Sequence, residues 1–131
     1  MKTFASFAGA LILGAALVLP ARPEDSPPSA MPQYLYVLHL VPRLRDEKAW
    51  TAADRAAGDR HLAHIMAAAA AGKLVLAGRT QEPLDQTFGI VIFEAPDDEA
   101  ARAFMQSDPA VAGGIMTAEL HPYRIAAQRR Q

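Results

Sequence analysis

Two kinds of apolar pattern alternate along the chain. The run Tyr34–Val41, YLYVLHLV, is aromatic or branched at nearly every position, and His39 is its one polar side chain. Such a run predicts a central strand covered on both faces. Thr87–Glu94 (TFGIVIFE) repeats the pattern, Leu74–Ala77 is a shorter strand ending at Gly78, and Met116–Ile125 is the fourth. Pro122 cannot donate to a ladder, which predicts that the last strand lies at an edge. Between these runs the period changes. Leu62, Ile65, Met66 and Ala69 recur at i, i+3, i+4 and i+7, predicting a helix over Ala52–Ala71 with that stripe buried.

The ends of this helix are signalled as well. Thr51 followed by Asp54 has the spacing of a capping box, with Asp in place of the usual Glu, and Gly72 supplies a left-handed stop. Gly58 inside the helix costs about 1 kcal/mol against alanine, so the first turns are expected to fray or to begin later. Asp97 caps a second helix, DDEAARAFMQS, whose buried side is Ala100, Ala101, Phe104 and Met105. Pro109 ends it, because the residue before a proline is pushed out of helical geometry, and Val111–Gly114 reads as a turn of small residues.

The order is βαββαβ. It predicts an α+β fold of the ferredoxin-like kind, a four-stranded antiparallel sheet with both helices on one face. The uncovered face would expose Tyr, Leu, Val, Ile and Phe, and a patch of that size predicts a homodimer through the open sheet face.

Ahead of this domain, Met1–Ala21 carries Lys2, an uncharged run from Thr3 to Pro20 and a small residue at its end. This is the layout of a secretory signal peptide cleaved after Ala21, implying a secreted or periplasmic protein. Left uncleaved, the segment anchors the chain to a membrane; with Met31 as the true start, the protein is cytoplasmic. The organisation is therefore a signal peptide over 1–21, a proline-rich linker over 22–32, a folded domain over 33–126 and a short tail over 127–131.

At 131 residues the chain has room for one core beyond these extensions. A formal net charge of -1 offers no basic face for nucleic acid. The absence of cysteine excludes a disulfide framework, a thiolate nucleophile and cysteine-ligated metal.

The candidate chemistry centres on two residues 47 positions apart, His61 and Asp108. His61 projects about 90 degrees from the apolar stripe and His64 about 150 degrees, placing His61 at the boundary of core and solvent and His64 in water. A boundary imidazole is half desolvated yet reachable, which suits an acid or base working near neutrality. Asp108 lies at a helix terminus in the run SDPAV. A carboxylate accepting a hydrogen bond from one ring nitrogen fixes the tautomer and raises basicity at the other. The pair reads either as a general acid/base device or as a structural contact in which Asp108 caps its helix. His39 reads as a hydrogen-bonded strand histidine or one at a subunit contact. There is no serine or cysteine nucleophile elbow and no glycine-rich phosphate loop. His61 and His64 at i, i+3 find no third ligand, so neither metal nor other cofactor is expected. Arg43–Lys48 and Arg129–Arg130 read as solvated surface. Proton transfer or lytic elimination remains as the reaction class, beside a non-catalytic binding or accessory module of the cell envelope.

HLAHIMAAAAAGKLVLAG, FGIVIFEAPDDEAARAFMQSDPAV and LHPYRI, in that order, resemble the YciI-like (YCII-related) family of small proteins over roughly Met31–Ile125. The resemblance implies a dimeric α+β barrel, similar in fold to muconolactone isomerase-type proteins, with a His and Asp pair in a cleft between helix and sheet. Those positions correspond to His61 and Asp108. Family members often carry proline after the alanine-glycine that ends the second strand. Here Arg79 stands there, read either as a cation near the cleft, a carboxylate contact for a small, organic-acid substrate of an isomerase, lyase or dehalogenase-like enzyme, or as a side chain that simply faces solvent.

Overall fold

Residues 31–129 are described by a computed structural model. The expected signal peptide and all but the end of the proline-rich linker lie outside the described residues. The chain forms β1 (Gln33–Leu40), α1 (Ala52–Ala70), β2 (Leu74–Arg79), β3 (Phe88–Glu94), α2 (Asp98–Ser107), α3 (Pro109–Ala112) and β4 (Met116–Tyr123). The four strands pair antiparallel in the order β2-β3-β1-β4, the ferredoxin-like α+β arrangement. Pro122 therefore does sit in an edge strand.

Alternation along β1 sorts its side chains between two faces. Tyr34, Tyr36, Leu38 and Leu40 are buried, and the register sets Tyr36 between Val91 and Leu120. On this face Ile65 and Ala68 from α1 and Ala101, Phe104 and Met105 from α2 close the main core. Leu35, Val37, Ile90 and Ile92 point the other way, and Phe88 and Leu76 on that side are 37% and 51% exposed. β1 is central and apolar on both sides as expected, yet among the described residues helices cover only one of them.

The buried side of α1 differs from the stripe expected of it. Asp54, Ala57, Ile65 and Ala68 face inward, whereas Leu62 and Met66 are 60% and 63% exposed. Alanine occupies every side of this helix, so sequence supplies little contrast from which to read its rotation. Packing chooses the small side chains, because they let α1 approach its neighbours closely.

Nor does the helix fray at Gly58. It begins at Ala52 behind a complete capping box: the Thr51 N–H donates to Asp54 Oδ2 at 2.9 Å, and the Asp54 N–H donates to Thr51 Oγ1 at 3.2 Å. Arg43 clamps the same carboxylate with both guanidinium nitrogens, at 2.9 and 2.6 Å, and holds it well below the usual carboxylate range. Arg43–Lys48 is thus not simply solvated surface. It winds into two 3₁₀ turns, Pro42–Arg45 and Glu47–Ala49, and buries Leu44 completely.

At the far end of α1, Gly72 adopts φ +71°, the left-handed stop. Asp97 caps α2 by accepting from the Ala100 N–H at 2.8 Å. Past α2, the expected small-residue turn is instead the one-turn helix α3, started by Pro109 at its first position and stopped by Gly113 and Gly114. α3 rests on α1: a Cβ built on Gly113 would lie 2.6 Å from the Pro109 carbonyl oxygen and 3.4 Å from Ala57 Cβ.

Two glycine replacements on these packed helices should have opposite signs. A Cβ on Gly58 meets nothing within 4 Å, so Gly58→Ala should stabilise the domain by about 0.5–1 kcal/mol. Gly113→Ala should destabilise it by about 1–3 kcal/mol through the backbone clash. Urea midpoints of the two variants check this, and a shift of the same sign in both would contradict the packing described.

Candidate active site

Three elements converge on one carboxylate. Asp108 sits between α2 and α3, ending one helix and capping the next. Its carbonyl oxygen accepts from the Val111 and Ala112 N–H groups at 2.9 and 2.8 Å, and its Oδ1 accepts from the Ala110 N–H at 2.9 Å. From α1, His61 Nδ1 approaches Oδ1 at 2.7 Å; from β1, the Tyr36 hydroxyl donates to Oδ2 at 2.8 Å.

Asp108 is completely buried. Burial alone would push its carboxyl up, but the hydrogen bonds from His61, the Ala110 N–H and Tyr36 outweigh it and hold the group below the usual carboxylate range. It is therefore ionised at neutral pH and can only accept. His61 must then carry a hydrogen on Nδ1, so that in the neutral ring Nε2 is the nitrogen with the free lone pair.

The same imidazole borders open space. Its side chain is 21% exposed against 0% for Asp108, and it lines a cleft of about 590 Å³ between α1 and the β2–β3 side of the sheet. Leu38, Ile65 and Val91 form apolar walls, and Trp50 and Leu84 stand at the loop end. Two charged side chains share this lining, Asp59 from α1 and Arg79 from the end of β2. Among the described residues Arg79 has no acidic group within 4 Å. The cleft thus offers an oily slot lined by one imidazole, one basic and one acidic side chain, a combination suited to a small polar organic molecule.

The three residues singled out from sequence meet here: His61 and Asp108 touch, and Arg79 lines the same cleft. His64 does not face water as expected. The true rotation of α1 turns it inward, where its ring stacks on Phe104 at 5.1 Å and its Nε2 is buried with no hydrogen-bond partner among the described residues. Lys73 places its Nζ 4.1 Å from the centre of the same Phe104 ring. His39 is exposed on the open face of the sheet, its ring centre 5.9 Å from that of Phe88, and its ring makes no hydrogen bond among the described residues, unlike the hydrogen-bonded strand histidine expected as one reading. Sequence reasoning missed Tyr36. The signal was present, since a tyrosine at an inward position of a central strand must find a partner for its hydroxyl.

The profile of the YCII-related domain family matches residues 35–122. A comparison with curated proteins gives no match. Among solved structures, 5-chloro-2-hydroxyhydroquinone dehydrochlorinase from Burkholderia phenoliruptrix AC1100, in complex with 2,5-dihydroxybenzoquinone, is similar. It shares 17% identity with this chain at a TM-score of 0.49, covering 70% of this chain and 93% of that one.

The depressed carboxyls make stability pH-dependent with a definite sign. Asp108 and Asp54 bind protons less readily folded than unfolded, so their contribution is present above the unfolded value near pH 4 and is lost as pH falls through the folded one. Urea midpoints should hold steady from neutrality to about pH 4 and decline below it. Asp108→Asn should show a shallower decline than wild type. Parallel curves would mean that Asp108 is not ionised in the folded protein.

Proposed function

The chain belongs to the YCII-related domain family, and from that membership and the geometry around His61 we propose that it is a small enzyme performing general acid/base chemistry on a small organic acid, of the isomerase, lyase or dehalogenase-like kind. One observation carries the reading. A reachable imidazole borders an open cleft while its other nitrogen is held by a fully buried, ionised carboxylate. A purely structural pair gains nothing from the cleft.

In the proposed reaction, Nε2 of His61 takes a proton from a carbon activated by a neighbouring carbonyl. Nδ1 keeps its own proton, and the imidazolium that forms is stabilised by Asp108, which stays ionised. Returning the proton at another carbon completes an isomerisation. If the electron pair left on carbon expels a neighbouring anion instead, the result is an elimination, and His61 releases its proton to that anion or to water. Arg79 holds the carboxylate of the substrate, and the apolar walls of the cleft receive its carbon skeleton.

A second reading, a dimeric binding module without catalysis, draws on the capping bond from the Ala110 N–H to Asp108, which gives that residue a structural role of its own. We also propose that the protein is a homodimer. Leu35, Val37, Ile90 and Ile92, with Phe88 and Leu76 exposed beside them, leave one face of the sheet apolar and, among the described residues, without a helix over it.

Turnover over a panel of small carboxylic acids and lactones separates the two functional readings. His61→Ala should lower kcat by about 10²–10⁴. Asp108→Asn should cause a smaller loss, and Arg79→Ala should chiefly raise KM. Folded variants that keep wild-type rates, or a wild type inert across the panel, would favour the binding module. For assembly, light scattering should find wild type as a dimer and Val37→Asp as a folded monomer; a monomeric wild type would refute the interface.

A further inference from the structure

Asp108 has more donors than its position at a helix start requires. The Ala110 N–H already caps α3 and His61 Nδ1 already pairs the same oxygen, yet a third donor, the Tyr36 hydroxyl, reaches Oδ2 at 2.8 Å from the opposite side. Packing does not call for that hydroxyl. The Tyr36 ring is wholly buried, lying edge-on to Phe93 and Phe104 with centroids 5.7 and 6.3 Å away, and a phenylalanine would fill the same space. Tyr34, two residues earlier on the same face of β1, shows the other course open to such a residue. Its hydroxyl donates at 2.7 Å to Asp98, an exposed acid at the start of α2 and away from the cleft.

We propose that Tyr36 is a positioning residue for the His61–Asp108 pair: by donating to Oδ2 it fixes the plane of the carboxyl group so that Oδ1 faces His61, and it limits how strongly that oxygen draws the imidazole proton. This rests on the reading of His61 as the base of the cleft. A carboxylate shares its negative charge between two oxygens. A donor on one oxygen weakens the other as an acceptor, and without a donor on Oδ2 the group is free to turn about its last bond.

Two features suit Tyr36 to this task. Burial first, then the charge and hydrogen bond of Asp108, push its hydroxyl far above its ordinary range, so it stays protonated and can only donate to this carboxylate. It stands on β1, the central strand, locked between β3 and β4, so the donor is held by the stiffest part of the sheet. The other ionisable groups near His61 do not duplicate it. Asp59 on α1 lines the cleft but forms no ion pair with the imidazole within 4 Å among the described residues, Arg79 on β2 is a cation and forms no ion pair with Asp108, whose Oδ2 is held by Tyr36, and His64, on the next turn of α1, stacks on Phe104.

The test reads the His61 Nδ1–H proton resonance by NMR in wild type, in Tyr36→Phe, and with a ring-fluorinated tyrosine placed at position 36. The fluorinated ring keeps nearly the same volume but donates more strongly, so it remains informative should Tyr36→Phe fold poorly. The expected result is a downfield shift of the resonance in Tyr36→Phe and an upfield shift with the fluorinated ring. Packing alone does not produce shifts of opposite sign. A resonance unmoved by both changes, or moved the same way by both, overturns the proposal. Its absence from wild type, with Asp108→Asn altering no imidazole nitrogen shift, overturns both this proposal and the paired geometry behind the proposed function. Opposed shifts in a protein that turns over nothing would leave the role of Tyr36 standing while the catalytic reading falls.

Discussion

A charged carboxyl group sealed from water has to be surrounded by donors, and in this fold that requirement joins otherwise separate pieces. Asp108 is completely buried and ionised, and its donors come from β1, α1 and the first turn of α3. Leaving such a group with fewer donors would cost several kcal/mol, so the mutual placement of these elements is constrained by electrostatics as much as by oily contact. The site is assembled by the same interactions that close this end of the core.

That arrangement divides one imidazole between two environments. Its Nδ1 side faces the dry carboxylate and its other side borders the cleft. Across the sheet, the other face of β1 and β3 is also apolar and, among the described residues, has no helix over it. The strands that present Tyr36 and Val91 to the site therefore present Val37, Ile90 and Ile92 to the opposite side.

Much of this was legible in local pattern. Two-sided apolar strands, the Thr51–Asp54 box, the Gly72 stop, the Asp97 cap and the edge position of Pro122 are short-range consequences of residue type, and each appears where its signal lies. The pairing of His61 with Asp108 and the place of Arg79 were also expected, with family resemblance adding to the reading of the residues. What resisted was rotation. The alanine-rich α1 offers almost no polar contrast, so Leu62 and Met66 looked like its buried stripe when the inward residues are Ala57, Ile65 and Ala68. His64 was misplaced for the same reason.

By itself the sequence determined the kind and order of the elements and their caps and stops, because those depend on neighbours within a few positions. Only the tertiary structure decided which side of α1 turns inward, that Arg43 reaches back to clamp Asp54, and that Tyr36 completes the ring of donors around Asp108. These choices depend on groups 11 and 72 positions apart in the chain. They follow from how closely small side chains let helix and sheet approach and from where a buried charge can find hydrogen-bond donors, neither of which leaves a periodic trace in the chain.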